Sequence, residues 1–284
     1  MYKILEKRSL NETVTLMDIE APLVAAKAQA GQFIILRVDE NGERIPLTVA
    51  GFDREKGSVR IIFQIVGATT HKLNCKQKGE FIEDFVGPLG LPTRTDGLKK
   101  VCIIGGGVGC AIALPVAEKL KSEGCEVTSV IGFRSKELLI LEDEFRNCSD
   151  RLFVMTDDGS YGEHGNVCAP LNRMLEANER FDEIITIGPL IMMKFVVEAA
   201  RPYNIPCTVS MNPIMIDGTG MCGGCRLTLL RDGERIVKFA CVDGPDFNGY
   251  EVDFDEAMSR GSMYRDFERH AYEEQCNLFK KEIK

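Results

Sequence analysis

The chain of 284 residues lacks several features that would place it in other classes of protein. No apolar run approaches the roughly 20 residues that a transmembrane helix needs, so we expect no membrane insertion. The N-terminal segment lacks the long apolar core of a signal peptide. No basic cluster suited to nucleic acid is present, and 35 basic against 43 acidic residues give a formal net charge of −8, so we expect no nucleic-acid partner.

The sequence also lacks the setting in which disulfides are common. It contains 11 cysteines, but the chain is long and the cysteines are clustered or lie in apolar strands. Reduced thiols and a metal site in a cytoplasmic protein fit this pattern better than a disulfide framework. Clustered His, Glu or Lys residues of an acid–base site are absent too, which favours chemistry carried by cofactors.

Two different strand rhythms divide the chain. Up to about residue 97, short alternating or β-rich runs are separated by turn signals such as Asn41-Gly42, which predicts an antiparallel barrel or sandwich. From Lys99, buried strands alternate with helices, one of them expected over residues 138–145, which predicts a doubly wound parallel α/β domain. A charged, amphipathic tail after Phe254 is expected to be helical.

Three elements at the ends of the α/β strands suggest a dinucleotide site. Gly105-Gly-Gly-Val-Gly109 follows a strand and opens a helix, where glycines let the backbone approach a pyrophosphate. Arg134 follows the next strand, and Gly188-Pro189 with Met192 follows a later one. A tight strand–helix connection and a solvated loop charge at Arg134 are the alternatives. Because no acidic residue ends the second strand, NAD and NADP both remain open.

A set of possible metal ligands lies in the Gly-rich segment that follows. Cys222 and Cys225 are followed by Cys241, and Asp217 stands five residues before Cys222. Four-thiolate [2Fe–2S] sites use four cysteines, so a carboxylate would replace the first thiolate. The alternatives are a zinc half-site, a redox dithiol, a turn role for Asp217, and Cys207 as the missing ligand.

Two weaker motifs lie in the N-terminal strands. In Arg44-Ile-Pro-Leu-Thr48, Arg44 could grip a diphosphate and Thr48 would place a hydroxyl beside a ring. In Gly67-Ala-Thr-Thr70, the backbone of Gly67 and the hydroxyl of Thr70 are possible donors. Each motif is common when taken alone.

Together, these motifs resemble the ferredoxin–NADP⁺ reductase superfamily. The resemblance covers nearly all of residues 1–250 and rests on the order of six motifs: Gly31-Gln-Phe33, Arg44-x-Pro-Leu-Thr48, Gly67-x-x-Thr70, Gly87-Pro-Leu-Gly90, Gly105-Gly-Gly-Val-Gly109 and Gly188-Pro-x-x-Met-Met193. The cysteines add similarity to the branch that contains the electron-transfer subunit of dihydroorotate dehydrogenase. That branch also contains the small subunit of NADH-dependent reduced ferredoxin:NADP⁺ oxidoreductase, or sulfide dehydrogenase.

The resemblance implies four segments and three cofactors. The segments are an FAD-binding β-barrel (1–97), an NAD(P)-binding α/β domain (98–208), a [2Fe–2S] lobe (209–250) and a helical tail (251–284). The implied FAD residues are Arg44, Pro46, Leu47, Thr48, Gly67, Thr69 and Thr70, with Thr48 near flavin N5. The implied NAD(H) or NADP(H) residues are Gly105, Gly106, Gly107, Val108, Gly109, Arg134, Gly188, Pro189 and Met192. The implied cluster ligands are Asp217, Cys222, Cys225 and Cys241.

The sequence departs from the superfamily at Ile187, where many reductases have a cysteine before Gly-Pro. Asp217 resembles the ferredoxin-linked branch, whereas the dihydroorotate branch has a cysteine there. We therefore expect an electron-transfer subunit that works with a larger flavin and iron–sulfur subunit, and with ferredoxin through it. Alternatives are a subunit of dihydroorotate dehydrogenase, of a hydrogenase or of a sulfide-reducing complex, and a zinc-stabilised nucleotide-binding protein.

Overall fold

The computed structural model describes residues 1–263, 266–270 and 272. Fifteen of the 34 residues of the predicted helical tail (251–284) therefore lie outside the described residues. Within the described part, no helix is long and apolar enough to cross a membrane.

The N-terminal part is a seven-stranded antiparallel sheet that curls into half a barrel. Its strands follow one another in space as β6-β1-β2-β5-β4-β3-β7. Two short helices, α1 (Pro22–Ala25) and α2 (Ala68–Cys75), connect strands. The strands are Tyr2–Ser9 (β1), Val14–Glu20 (β2), Phe33–Arg37 (β3), Arg44–Asp53 (β4), Ser58–Gln64 (β5), Phe81–Ile82 (β6) and Asp84–Leu89 (β7).

The middle of the chain forms a parallel sheet covered by helices. Alternation of buried strands with amphipathic helices requires this arrangement, because each helix has one apolar face to bury. The strands are Lys100–Gly106 (β8), Glu126–Phe133 (β9), Arg151–Thr156 (β10), Glu163–His164 (β11), Glu183–Ile187 (β12) and Cys207–Ser210 (β13). The helices are Cys110–Ser122 (α3), Glu142–Cys148 (α4), Cys168–Glu176 (α5) and Leu190–Ala200 (α6).

One helix begins later than the sequence suggested. The expected helix over residues 138–145 is found as α4, Glu142–Cys148, after a short 3₁₀ turn at Lys136–Leu138. Leu141 has a φ of 61°, a left-handed conformation that a continuous right-handed helix excludes. Apolar spacing alone does not reveal such a break.

The C-terminal lobe is joined to the parallel sheet rather than set apart from it. It contains a two-stranded hairpin, β14 (Arg226–Arg231) and β15 (Glu234–Phe239), then the short helix α7 (Ala240–Asp243). Strand β16 (Asp246–Asn248) then pairs antiparallel with β13, which gives the sheet order β11-β10-β9-β8-β12-β13-β16. Helix α8 (Phe254–Ser262) packs near α6 and β14. The predicted combination of antiparallel β-barrel and parallel α/β domain with a C-terminal lobe is confirmed.

The barrel core gives a first testable prediction. Phe63 on β5 is 1% exposed, whereas Phe81 on β6 is 48% exposed. Phe63→Ala should lower the free energy of unfolding by about 3–5 kcal/mol, because it removes buried surface and leaves a cavity. Phe81→Ala, the matched control, should change it by less than about 1 kcal/mol. Urea unfolding midpoints measure both, and equal shifts would contradict this account of the core.

Candidate functional site

A cavity of about 910 Å³ opens at the carboxyl edge of the parallel sheet. The strand order runs β9-β8-β12 here, so the chain leaves β8 to one side and later returns to its other side. Such a switch point leaves a crevice outside the strand ends, where ligands bind in α/β sheets. Eight residues predicted for the dinucleotide line the cavity: Gly106, Gly107, Val108, Gly109, Arg134, Gly188, Pro189 and Met192.

Packing explains two glycines that flank the turn. A Cβ on Gly105 would lie 2.9 Å from the Cys110 sulfur. A Cβ on Gly109 would overlap the carbonyl oxygen of Ile187 at the end of β12. Gly105 does not line the cavity. At these positions glycine allows helix α3 to approach the sheet closely, as the alternative of a tight strand–helix connection requires.

Gly107 differs from its neighbours because no packing contact requires it. Its φ is 54°, and a Cβ there would meet no atom within 4 Å. The backbone of Gly107 therefore faces open space inside the cavity. This is the close approach that a pyrophosphate needs beside a helix start. Gly106 falls between the two cases, because its Cβ would overlap Met192, which also lines the cavity.

Two charged residues line the cavity where β9 and β10 end. Arg134 directly follows β9, and within residues 1–263 it forms no ion pair. Asp157 directly follows the neighbouring strand β10, lines the same cavity, and donates its backbone N–H to Phe133 at 3.0 Å. Sequence reasoning missed Asp157. The rule that found Arg134, a polar residue after a parallel strand, would have found Asp157 as well.

Other cavity residues come from elements that the sequence could not place. Gln64 and Asn11 belong to the barrel, and Asn11 donates its side-chain N–H to the carbonyl of Leu138 at 3.1 Å. Ser210 is the last residue of β13, and Asn212 follows the strand. The barrel residues reach the cavity only because the two sheets pack together, a contact that no local pattern encodes.

A second, smaller pocket lies between the barrel and the cavity. Pro46 and Thr48 of β4, which are two of the residues expected to bind FAD, line this pocket. Leu47, between them, points to the other side of the strand and packs against the barrel core. The two pockets share three wall residues: Ile112, Ser210 and Asn212. A ligand beside Thr48 would therefore adjoin a ligand in the cavity.

The remaining barrel motif, Gly67 to Thr70, lies close to Arg44. The Thr69 hydroxyl donates to the Glu43 carboxylate at 3.3 Å, which brings the start of α2 beside Arg44. Arg44 is exposed and forms no ion pair within residues 1–263. A Cβ on Gly67 would meet no atom within 4 Å. An unpaired guanidinium beside an open helix start is suited to a diphosphate.

Thr70 already has a structural role. Its hydroxyl oxygen accepts the backbone N–H groups of Val66 at 3.0 Å and Gly67 at 3.1 Å, and its O–H donates to the Gly67 carbonyl. Thr70 therefore caps α2 and fixes the turn that presents Gly67. A direct contact between its hydroxyl and a ligand would compete with these bonds.

Two of the predicted cluster cysteines meet in the interior. Cys225 and Cys241 are 1% and 2% exposed, and their sulfur atoms lie 3.1 Å apart. Burial, followed by the hydrogen bond from Cys225, raises the pKa of Cys241 to about 12. The metal-free Cys241 thiol is therefore protonated at neutral pH, and metal binding would have to displace its proton.

The other two predicted ligands lie on the exposed side of the same loop. The carboxylate of Asp217 accepts backbone N–H groups from Thr219 and Cys222, each at 2.7 Å. The bond from Thr219 is the main cause that lowers the pKa of Asp217, so its side chain is anionic. The exposed sulfur of Cys222 accepts the N–H of Gly224 at 3.4 Å. Asp217 thus has the turn role that was one alternative.

The loop fits an iron–sulfur cluster in its chemistry, although its ligands are not gathered. Asp217, Cys222 and Cys225 belong to the turn-rich loop before β14, and Cys241 of α7 brings its sulfur to that of Cys225. The Cys222 sulfur accepts a backbone N–H within this loop. Gly218, Gly220 and Gly223 have φ between 66° and 85° and allow this tight path. Among residues 1–263, 266–270 and 272, no three His, Cys, Asp or Glu side chains form a ready metal site.

Comparison with known proteins agrees with this arrangement. Residues 212–253 match the iron–sulfur cluster binding domain of dihydroorotate dehydrogenase B. The chain is 46% identical over 273 residues to a Thermotoga maritima homologue of the dihydroorotate dehydrogenase B (NAD(+)) electron transfer subunit, covering 96% of this chain and 95% of that one. The Desulforamulus reducens electron transfer subunit is 30% identical, with coverages of 83% and 91%.

Solved structures give the same result. A chain in the structure of NADH-dependent reduced ferredoxin–NADP oxidoreductase, studied for flavin-based electron bifurcation, superposes with a TM-score of 0.89. It is 45% identical, with coverage of 96% of this chain and 97% of that one. A cytochrome P450 reductase from Amycolatopsis, 22% identical, superposes with a TM-score of 0.60 over 72% of this chain and 66% of that one, and shows the fold alone.

The fold and the site therefore define a ferredoxin-reductase-type oxidoreductase subunit with an iron–sulfur lobe. The chain belongs to the family of dihydroorotate dehydrogenase B electron-transfer subunits and their homologues. The predicted resemblance is confirmed. The matched domain and the reductase fold also support the predicted cofactor set of FAD, a [2Fe–2S] cluster and a nicotinamide nucleotide.

Proposed function

We propose that this chain transfers electrons between NAD(H) and a larger partner subunit, through FAD and a [2Fe–2S] cluster. One observation carries the proposal. The pocket beside Thr48 is lined by Ser210 and Asn212, which also line the cavity. It is lined as well by Met215 and Pro245, which lie close in sequence to Asp217 and Cys241. A flavin ring in the part of the cavity next to Thr48 would adjoin both neighbouring redox sites.

The proposed roles of the residues follow from this order. Gly107 and the start of α3 would hold the pyrophosphate of the nucleotide, and Gly188 and Pro189 would position its nicotinamide end. Pro46 and Thr48 would hold the flavin ring, with Arg44 and Gly67 at its diphosphate. FAD, when bound, supplies the exchange between a two-electron hydride and single electrons. Ile187, buried where many reductases have cysteine, leaves the protein a positioning role.

Within this proposal the nucleotide is NAD(H). Two lines of support favour it over NADP(H). The Thermotoga maritima and Desulforamulus reducens relatives carry NAD(+) in their names, and the superposed oxidoreductase is NADH-dependent. In this chain, Asp157 lies beside Arg134 in the cavity wall, and a carboxylate there would repel a 2′-phosphate.

The proposed partner is a larger flavin and iron–sulfur subunit that passes electrons to or from ferredoxin, in the cytoplasm. Support comes from the superposed ferredoxin–NADP oxidoreductase and from Asp217 at the first ligand position. The division into segments 1–97, 98–208, 209–250 and 251–284 belongs to the same proposal. A dihydroorotate-oxidising partner is the second candidate, supported by the names of several relatives.

Purification of the tagged chain from its native cell tests this function. We expect a yellow-brown complex with FAD, iron, acid-labile sulfide and a co-purifying flavoprotein that reduces or oxidises ferredoxin with NAD(H). Dihydroorotate-dependent reduction by the complex would instead support the second candidate. A colourless protein that contains zinc would contradict electron transfer altogether.

The diphosphate role of Arg44 makes a second prediction. Arg44→Ala should weaken FAD binding about 10- to 100-fold, because a charge-assisted contact contributes about 1.5–3 kcal/mol, while iron content stays normal. Arg60→Ala is the control, since Arg60 also lies on the barrel but pairs with Asp18 at 2.8 Å. Flavin and iron per chain are the measurements, and full FAD retention by Arg44→Ala would remove the assignment.

Two variants distinguish a role of Asp217 as a cluster ligand from a role in holding the turn. Asp217→Cys should keep a cluster with a shifted midpoint potential and a changed EPR spectrum, because a thiolate is a softer donor than a carboxylate. Asp217→Asn should still accept one loop N–H but should lower iron content. If Asp217→Asn keeps full iron and both variants keep the native potential and spectrum, Asp217 is a turn residue only.

A further inference from the structure

The nicotinamide end of the cavity has a polar wall with no assigned role. Strands β9, β8, β12 and β13 are neighbours in that order along the sheet. At their carboxyl ends lie, in the same order, Arg134, Gly107, Gly188 and Ser210. Thr186 of β12 pairs with Val209, so Ser210 lies level with the residue before Gly188. A dinucleotide that runs from Arg134 through Gly107 would therefore end its nicotinamide ring beside Ser210.

Ser210 is backed by an acidic side chain from the C-terminal lobe. Asp246 of β16 is its direct cross-strand partner, so the two side chains share a face of the sheet. The Asp246 Oδ2 atom accepts the Thr93 hydroxyl at 2.6 Å. Thr93 itself is 3% exposed and donates its backbone N–H to Ala30 of the barrel. Asp246 is thus fixed at the junction of all three parts of the fold.

The second oxygen of Asp246 needs a partner. Although part of the residue reaches the surface, Oδ1 is buried, and no donor within the described residues lies at hydrogen-bond geometry. Burial raises the pKa of Asp246, and the Ser210 and Thr93 hydroxyls oppose this rise, as donors near a carboxylate do. A buried oxygen without a partner is costly, so rotation of the Ser210 hydroxyl towards Oδ1 is favourable.

We propose that Ser210 contacts the carboxamide of the nicotinamide ring, and that Asp246 is the positioning residue that orients the Ser210 hydroxyl. A hydroxyl has one donor and two lone pairs. When the Ser210 O–H donates a hydrogen bond to Asp246, the lone pairs of the Ser210 oxygen face the cavity as acceptors. The carboxamide NH₂ is the donor at that end of the nucleotide. This inference rests on the proposed binding of NAD(H) in the cavity.

The chain contains a matched control pair one step along the same strand. Thr208, two residues before Ser210 on the same face of β13, donates its hydroxyl to the Glu183 carboxylate. Thr208 lines neither pocket. Thr208→Ala therefore removes a similar hydroxyl–carboxylate bond without changing the wall of the cavity.

Equilibrium binding of three nucleotides to the FAD- and iron-loaded protein tests the proposal. NAD⁺ has the carboxamide, the 3-acetylpyridine analogue of NAD⁺ replaces it with a methyl ketone, and ADP-ribose lacks the ring. Ser210→Ala should weaken NAD⁺ binding about 3- to 10-fold, the effect of one hydrogen bond. Binding of the other two ligands should change less than about 2-fold, and FAD content is measured for each variant so that only FAD-loaded protein is compared.

The variants of Asp246 separate positioning from general stability. Asp246→Ala should weaken NAD⁺ as much as Ser210→Ala does, and the double variant should show no further loss, because both changes remove one contact. Asp246→Asn should restore most of the affinity, since its amide oxygen can still accept. Thr208→Ala should bind all three ligands normally.

Each other outcome overturns a named part. Unchanged NAD⁺ binding by Ser210→Ala, or equal losses for NAD⁺ and ADP-ribose, removes the carboxamide contact. A loss in Ser210→Ala with normal binding by Asp246→Ala removes the positioning role. If the unaltered protein binds neither NAD⁺ nor ADP-ribose, the proposed function itself fails, which is distinct from failure of this contact.

Discussion

The antiparallel pairing of β16 with β13 is the constraint on which the arrangement of the sites depends. It attaches the end of the cysteine-containing lobe to the sheet that forms the nucleotide cavity. Residues 211–245 therefore leave the sheet and return to its adjacent strand, and their path is held against the barrel. A Cβ on Gly218 would lie 2.7 Å from Leu89 and 2.8 Å from Ile35, two barrel residues. The loop at Gly218 thus packs directly against barrel strands β7 and β3.

Local pattern was enough to predict the fold class because each sheet has its own periodicity. Alternating strands with tight turns predicted the antiparallel sheet, and buried strands separated by helices predicted the parallel one. The start of α4 was misplaced because the left-handed Leu141 is not visible in apolar spacing. The joining of β16 to β13 was also not predictable, since three residues give too weak a strand pattern and the pairing closes over 35 residues.

The predicted site shows the same division between local and long-range information. Glycines and polar residues at the ends of parallel strands were found from sequence, because topology brings those ends to one edge. Packing nevertheless accounts for Gly105 and Gly109, and Gly107 is left with the clearest relation to a ligand. Gln64 and Asn11 were invisible from sequence, because they enter the cavity only through contact between the two sheets. Asp217 was found by spacing, but spacing did not reveal its bonds to the loop backbone.

The closeness of Cys225 and Cys241 has a consequence for how the lobe responds to oxidants. Their sulfur atoms, 3.1 Å apart, need to move only about 1 Å to reach the disulfide bond length of about 2.05 Å. An oxidant such as oxygen that removes two electrons and two protons from the metal-free thiols would close that bond. The oxidised lobe would then have lost two possible cluster ligands at once, and a thiol reductant would be required before iron could enter. A lobe that has lost its metal and is exposed to air would thus contain a disulfide that a thiol reductant can reverse.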